Sequence, residues 1–527
     1  MARRETPRWL TSPIFIVGGI VFLYFISRLA NLLALPVFAD EAIYIRWAQL
    51  LRHDSAYLYF SVNDGKPPLF MWLLASAFSL PVNPLWMGRF VSAVIGLLQV
   101  AALDRVIRQL GGKTLARGAG ALAIVLSPFW FFHHRMALMD GLLTFFLTLT
   151  VWGLLRLQER TARATTFQTK FLSMIIAGTA WGLALWTKTP ALFVGPFFAL
   201  VAWWEPFWKA LTKRQMPLRF VFDRTMWFAG AGALGLSIFL LLKLQPMFGS
   251  LFSRSADFTF TITEVLNGNW RTSIDNIGRF VEWVGTNLRP ELVALSAFGL
   301  ILSRRRKTHW LLWLGGVGFA FPLILLGKTL HPRYFLPVAL FLTTSAALMV
   351  EEAYTLLPRP KNDTLPWGHL VFGLVIGFYV LGCLRFMLLS IFTPDQTPFV
   401  LADRSQYLTE WSSGHGIREV RDMLLERARR GERTTVVTEG SFGTLPDGLL
   451  LEFDSRPEIE HLRIQGLEQY PVKYLPEWVY EEAENHETWL LVNENRLEMP
   501  LDTIELIARY PRPYGAADLQ VYRVKPR

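Results

Sequence analysis

The sequence predicts a polytopic α-helical membrane protein of about 11 transmembrane helices, followed by a C-terminal extracytoplasmic α/β domain. Three observations carry that prediction. Of the 527 residues, 52% are apolar, and they gather into blocks of roughly 20, the helical length that crosses a ~30 Å hydrocarbon layer. Tryptophans such as Trp86, Trp130, Trp203, Trp310 and Trp367 stand near block ends, where indole favours the membrane–water boundary. The net charge of +11 is distributed largely among short loops between blocks, a topology signal and not a nucleic-acid footprint.

The blocks fall at about 13–35, 85–109, 115–132, 137–157, 170–187, 189–206, 224–244, 289–303, 308–327, 333–351 and 366–392. With a cytoplasmic N-terminus, every inner segment is basic. The first holds Arg3, Arg4 and Arg8, the next Arg105, Arg108, Lys113 and Arg117, and the third Arg156, Arg160, Arg163 and Lys170. Then come Lys209, Lys213, Arg214, Arg219 and Arg224, the run Arg304 to Lys307, and finally Arg359 and Lys361. Positive loops stay inside, which sets the orientation. The first block also has features of a signal peptide, with basic residues before it and Val37-Phe38-Ala39 as a cleavage-like site. Its apolar length exceeds the usual 7–15 residues of a signal core, which favours a retained span.

Residues 1–393 thus form the membrane domain, with outer loops at 36–84 and 245–288. The stretch Pro68 to Leu80 is too short to cross and reads as an interfacial helix. Residues 394–527 turn polar and read as the small α/β domain. Helical spacing covers Gly416–Arg430, and strands are expected at Thr434–Thr438, Thr488–Asn493 and Leu519–Val524. The lone Cys383 allows no intrachain disulfide.

Ionisable residues recur at the outer ends of the spans. Asp40-Glu41 follows the first block; helix capping explains one carboxylate, and a catalytic role is the competing reading. Lys66 precedes Pro67-Pro68, which fix the backbone; it either snorkels or binds a lipid phosphate. His133-His134-Arg135 leads to Asp140, expected about a turn and a half into the next helix. A carboxylate there needs a cavity or a partner. Arg135–Asp140 could pair, or Asp140 could orient an acceptor or ligate a metal with His133 or His134, an incomplete ligand pattern. Lys188 stands between two spans, and Lys328, His331, Arg333 and Tyr334 cluster before the tenth. Cations and carboxylates in one outer cavity suit an anionic ligand and an acceptor that must lose a proton. Desolvation there is expected to raise the Asp40 pKa.

Together, Asp40-Glu41, Lys66-Pro67-Pro68, Arg135 to Asp140 and Pro332-Arg333-Tyr334-Phe335-Leu336-Pro337 resemble the GT-C membrane glycosyltransferases. The likeness is to the protein O-mannosyltransferase-like and aminoarabinose-transferase-like families, over residues 13–350. It implies an inverting transfer of a sugar from a polyprenyl-phosphate-linked donor to an acceptor hydroxyl on a lipid, glycan or protein, outside the membrane. Asp40 would be the general base, Glu41 would orient it or the acceptor, and Asp140 would be a second acidic position. Lys66, Arg333, Tyr334 and Lys328 would hold the donor phosphate, with Arg135, Lys188 and His331 as further candidates. No cofactor is assigned; a divalent cation is left open, with His133 and His134 as its weak candidates. No β-trefoil repeat of the kind found in eukaryotic protein mannosyltransferases is present. The competing readings are a transporter or flippase of lipid-linked sugars, which would place charges near mid-membrane, and a membrane-anchored sensor.

Overall fold

The computed structural model describes residues 13–80, 82–163, 165–211, 217–357 and 367–527. Arg3, Arg4, Arg8, Lys213, Arg214, Arg359 and Lys361 of the basic inner segments lie outside the described residues. Among the described residues, 8 helices are long and apolar enough to cross a membrane: Pro84–Gln109, Met139–Ala162, Phe167–Thr187, Thr189–Ala210, Leu218–Leu244, Arg306–Leu326, Pro332–Leu356 and Trp367–Phe392. The three remaining expected positions hold shorter apolar helices, Val17–Leu29, Thr114–Leu126 and Pro290–Leu302. Local chemistry explains two of these. Thr114–Leu126 stops before Ser127-Pro128, after which a separate short helix, Pro128–His133, begins; proline cannot donate to the preceding turn. Pro290–Leu302 starts on a proline and ends at the basic run Arg304 to Lys307.

Helix Pro332–Leu356 is the central one, with 89% of its apolar window buried. Small residues let other helices approach closely. A Cβ on Gly178 would lie 2.6 Å from the Ala231 carbonyl, and one on Gly182 2.7 Å from the Ile238 side chain. Helices Phe167–Thr187 and Leu218–Leu240 therefore meet nearly backbone to backbone, an arrangement that van der Waals contact alone favours in lipid.

The loop at 245–288 is more ordered than its sequence suggested. Helix Trp270–Leu288 directs its polar side inward, where Ser273 Oγ bonds the Leu325 carbonyl (2.7 Å) and Asn276 Nδ2 bonds those of Ile324 (3.1 Å) and Gly327 (2.8 Å). These contacts satisfy carbonyls left open at the end of Arg306–Leu326. Trp270, Ile274, Ile277 and Val281 form an exposed apolar stripe, the face an interfacial helix offers to lipid.

After Phe392 the chain builds a mixed five-stranded sheet: β1 Thr434–Thr438, β2 Leu462–Gly466, β3 Glu487–Asn493, β4 Ile504–Tyr510 and β5 Leu519–Val524, in the order β2-β1-β3-β5-β4. β1 runs parallel to both neighbours, while β5 is antiparallel to β3 and β4. The expected helix is present as Ile417–Arg429.

This part joins the membrane domain through a backbone seam. Ala39 N–H donates to the Ser412 carbonyl (2.9 Å), Gly414 N–H to that of Val37 (2.8 Å), and Phe38 bridges Ser413 antiparallel. A Cβ on Gly414 would fall 2.6 Å from the Val37 carbonyl, so only glycine fits the seam. Val37, Phe38, Ala42 and Ile45 share one apolar cluster with Ile417, Leu445, Leu449 and Phe453. The segment carrying Asp40 is therefore held between the two parts.

Candidate active site

Five ionisable residues distant in sequence converge close to where helices begin or end. Asp40 lies in the first turn of helix Ala39–His53. Lys66 follows Gly65, whose φ of 73° is a left-handed conformation that glycine adopts without strain. Asp140 opens helix Met139–Ala162, Lys188 follows helix Phe167–Thr187, and Arg333 sits in the turn that starts the central helix.

Each cation has a carboxylate partner. Arg333 Nη2 meets Asp40 Oδ2 at 2.9 Å, and Lys188 Nζ meets Asp140 Oδ1 at 2.7 Å. Lys66 pairs with Asp64, which also pairs with Arg254. Aromatic faces complete the setting. Lys188 Nζ lies 4.5 Å from the Tyr334 ring centroid, and Lys66 Nζ lies 5.2 Å from Trp47 and 5.5 Å from Tyr44. Such faces attract cations while leaving their other side for a ligand. Asp40, Lys66 and Lys188 keep 24%, 21% and 17% of their side-chain surface exposed, so the cluster is sheltered but reachable.

Burial pushes the Asp40 carboxyl up, yet the charge of Arg333, then those of Lys66 and Lys188, outweigh it and hold the group below its ordinary value. The desolvation expected from sequence is present, but the net direction is the reverse because three cations face one carboxylate. Burial and the Arg333 charge push the His331 imidazole down to about 3, so it is neutral at physiological pH.

Several sequence candidates lie elsewhere or serve the scaffold. Glu41 has no exposed surface, and its Oε1 and Oε2 accept from Arg89 Nε (2.8 Å) and Nη2 (2.7 Å). The same oxygens accept the N–H groups of Ala137 (2.7 Å) and Phe38 (3.1 Å). Glu41 therefore has no room to orient an acceptor; it ties three chain segments together. Arg135 does not pair with Asp140. Its guanidinium donates to the carbonyls of Ser27, Arg28, Ala30 and Asn31, closing the end of the first helix. Asp140 is in the first turn of its helix, shallower than expected, and Lys188 compensates it. Lys328 is exposed and bonds the Ala256 carbonyl at 3.1 Å beside Phe260, against the segment 245–288 and not in the cluster.

His133 and His134 are both held within the helix packing. His133 Nδ1–H donates to the Phe129 carbonyl (2.9 Å) and its Nε2 is buried without a partner. Both nitrogens of His134 are buried among Tyr24 and Trp130. Among the described residues no three His, Cys, Asp or Glu groups converge.

Residues that sequence reasoning missed surround Arg333. The segment between the last membrane helix and the sheet contributes Gln406, whose Oε1 accepts from Arg333 Nη1, and buried Asp403 and Tyr407. Burial, opposed by the Arg333 charge, pushes the Asp403 carboxyl up to about 7. Arg89 was also missed, although an arginine within an apolar block signals a buried partner.

Residues 65–222 match the family model described as dolichyl-phosphate-mannose-protein mannosyltransferase, a stretch that includes Lys66, Arg135, Asp140 and Lys188. The fold is similar to that of ArnT from Cupriavidus metallidurans bound to undecaprenyl phosphate, at TM-score 0.60 and 14% identity over 98% of each chain. ArnT from the same organism in the apo state gives TM-score 0.54 and 16% identity, again over 98% of each chain. An oligosaccharyltransferase from Archaeoglobus fulgidus, tethered with an acceptor peptide, gives TM-score 0.51 and 10% identity over 97% of this chain and 74% of that one. No curated protein matches the sequence. The fold is that of the GT-C membrane glycosyltransferases, as the sequence motifs anticipated.

Proposed function

We propose that this protein is an inverting glycosyltransferase that moves a sugar from a polyprenyl-phosphate donor to an acceptor hydroxyl at the outer face of the membrane. The observation that carries the reading is the convergence of Arg333, Lys66 and Lys188 around the half-buried Asp40. In the reaction, the bond between the sugar's anomeric carbon and the phosphate oxygen breaks, and its electron pair stays on the phosphate. The acceptor oxygen bonds to the same carbon from the opposite face, and its proton passes to Asp40. Fixed cations stabilise the charge growing on the leaving phosphate without reorganising at that moment. Asp40 is ionised at neutral pH and so is ready to accept the proton.

Arg333 is shared in this scheme. It pairs with Asp40, and the singly charged phosphodiester of the donor competes for the same guanidinium as its second charge develops, which frees the carboxylate for the acceptor. Lys188 and Asp140 act as a second such pair. The family match at 65–222 and the GT-C fold support a lipid-linked donor. The positive inner loops read from the sequence support an extracytoplasmic site.

The test is lipid and glycan mass spectrometry of membranes from cells with and without the chain, followed by Asp40→Asn in the purified protein. A sugar that disappears with the chain, and transfer that is lost in Asp40→Asn while donor still binds, is the expected result. Full transfer in Asp40→Asn would overturn the assignment of the base.

A further inference from the structure

Arg333, Gln406 and His331 form a chain of hydrogen bonds whose direction is fixed by chemistry. Arg333 Nη1 contacts one end of the Gln406 amide, and the other end contacts His331 Nδ1. A guanidinium has donors and no acceptor, so the amide atom facing it is the carbonyl oxygen. The amide NH2 therefore faces His331. It can only donate, so Nδ1 must be the bare, accepting nitrogen. A neutral imidazole then carries its single proton on Nε2. The ring lies edge-on to Tyr334, centroids 5.3 Å apart, and among the described residues no protein acceptor is hydrogen-bonded to Nε2. Arg333 Nε is likewise buried without a partner.

Gln406 is itself immobilised. It is 9% exposed, and its main-chain carbonyl accepts from Ser412 Oγ at 2.8 Å. The Ser412 carbonyl in turn holds the Ala39 N–H, next to Asp40. One short strap thus positions Arg333, His331 and the start of the Asp40 helix.

We infer that Gln406 is a positioning residue that sets the Arg333 guanidinium against Asp40 and fixes His331 as a neutral Nε2–H donor to a phosphate oxygen of the lipid-linked donor. The inference rests on the proposed function for its ligand and on the hydrogen-bond chain alone for its tautomer. The low His331 pKa agrees with it. A neutral donor beside Arg333 bonds a phosphate oxygen without adding a cation that would compete for Asp40.

Full-length protein with 15N-histidine, in lipid nanodiscs, gives the test by imidazole nitrogen–proton correlation, with the His331 signals identified by their loss in His331→Gln. The expected spectrum at pH 7 shows bare Nδ1 and protonated Nε2. In Gln406→Glu the side chain no longer donates, so Nδ1 gains a proton and the pattern reverses. Adding a short-chain polyprenyl phosphate to wild type should shift the Nε2–H signal. A protonated Nδ1 in wild type, or an unchanged pattern in Gln406→Glu, overturns the tautomer assignment. An unmoved Nε2–H with bound polyprenyl phosphate overturns the ligand contact. Should Gln406→Glu fail to fold, Gln406→Leu replaces it: loss of the single Nε2–H form supports the inference and its persistence overturns it. Because the tautomer is read without any sugar, its failure is separable from failure of the transferase reading, which Asp40→Asn decides.

Discussion

Replacing Glu41 by Gln distinguishes a scaffold carboxylate from a catalytic one. The wild-type pair is closed on both sides. Glu41 accepts from Arg89 Nε and Nη2 and from the Phe38 and Ala137 N–H groups, and the remaining Arg89 donors reach the carbonyls of Leu32, Leu35 and Pro36 at 2.8–2.9 Å. Both side chains are essentially unexposed, at 0% and 1%. A glutamine keeps the shape but offers one oxygen. Its NH2 must face either Arg89 Nε and Ala137 or Arg89 Nη2 and Phe38, donor against donor, and the Arg89 charge is left buried without compensation. Breaking one side of a buried, hydrogen-bonded ion pair costs about 3–5 kcal/mol. The expected outcome is a large fall in the temperature of half-inactivation and in the yield of folded protein. Per-folded-molecule turnover should fall far less than in Asp40→Asn. Tryptophan-fluorescence melts in detergent, run at one scan rate because membrane proteins unfold irreversibly, give the first number; transfer by the correctly folded fraction gives the second. A double variant, Glu41→Leu with Arg89→Met, should recover part of the lost stability, since apolar replacement of a buried pair is often neutral or better. An unchanged melt together with abolished turnover in Glu41→Gln would refute this account and return Glu41 to the reaction.

Two pH predictions follow from the same cluster. Arg333 is the largest charge offsetting burial at Asp40, so Arg333→Gln should move the acid limb of kcat/KM to higher pH while lowering its plateau; an acid limb that stays in place would mean that another group titrates. Asp403 has a raised folded pKa, about 7 against an ordinary 3.8. The folded state therefore holds its proton where the unfolded state has lost it, and stability falls as pH rises from about 4 to 7. At ~1.36 kcal/mol per pH unit the effect is capped at roughly 4 kcal/mol. Asp403→Asn should flatten this decline in melts between pH 5 and 8, and a parallel decline in the variant would reject Asp403 as its source.

Much of the membrane fold was legible because lipid imposes one dominant rule: apolar blocks of spanning length become helices. The blocks whose helices came out short are those limited by Ser127-Pro128 and by Pro290 with Arg304, local signals that a hydropathy count overlooks. In the sheet, β1, β3 and β5 were visible as runs of Val, Leu and Tyr, whereas the edge strands β2 and β4 were not. Their half-exposed faces carry residues such as Arg463, Gln465, Glu505 and Arg509, which read as loop. The site was partly legible, since Asp40, Lys66, Asp140, Lys188 and Arg333 all stand where apolar blocks begin or end. Asp40 and Glu41 share one helix turn and look alike in the sequence; only the third dimension shows which carboxylate meets Arg89. Gln406 gave no signal: an amide in an ordinary polar stretch acquires meaning only from the guanidinium and imidazole that meet it.

The backbone seam between Phe38 and Ser413 has a consequence for biogenesis. The residues before Asp40 are among the first to enter the bilayer, yet the strand that clamps them is translated hundreds of residues later. Until that late segment emerges, the Ala39 amide and the Val37 carbonyl have no mates. A chain terminated before Ser412 therefore carries the helix Trp367–Phe392 and those before it, but lacks the backbone partners of Val37, Phe38 and Ala39.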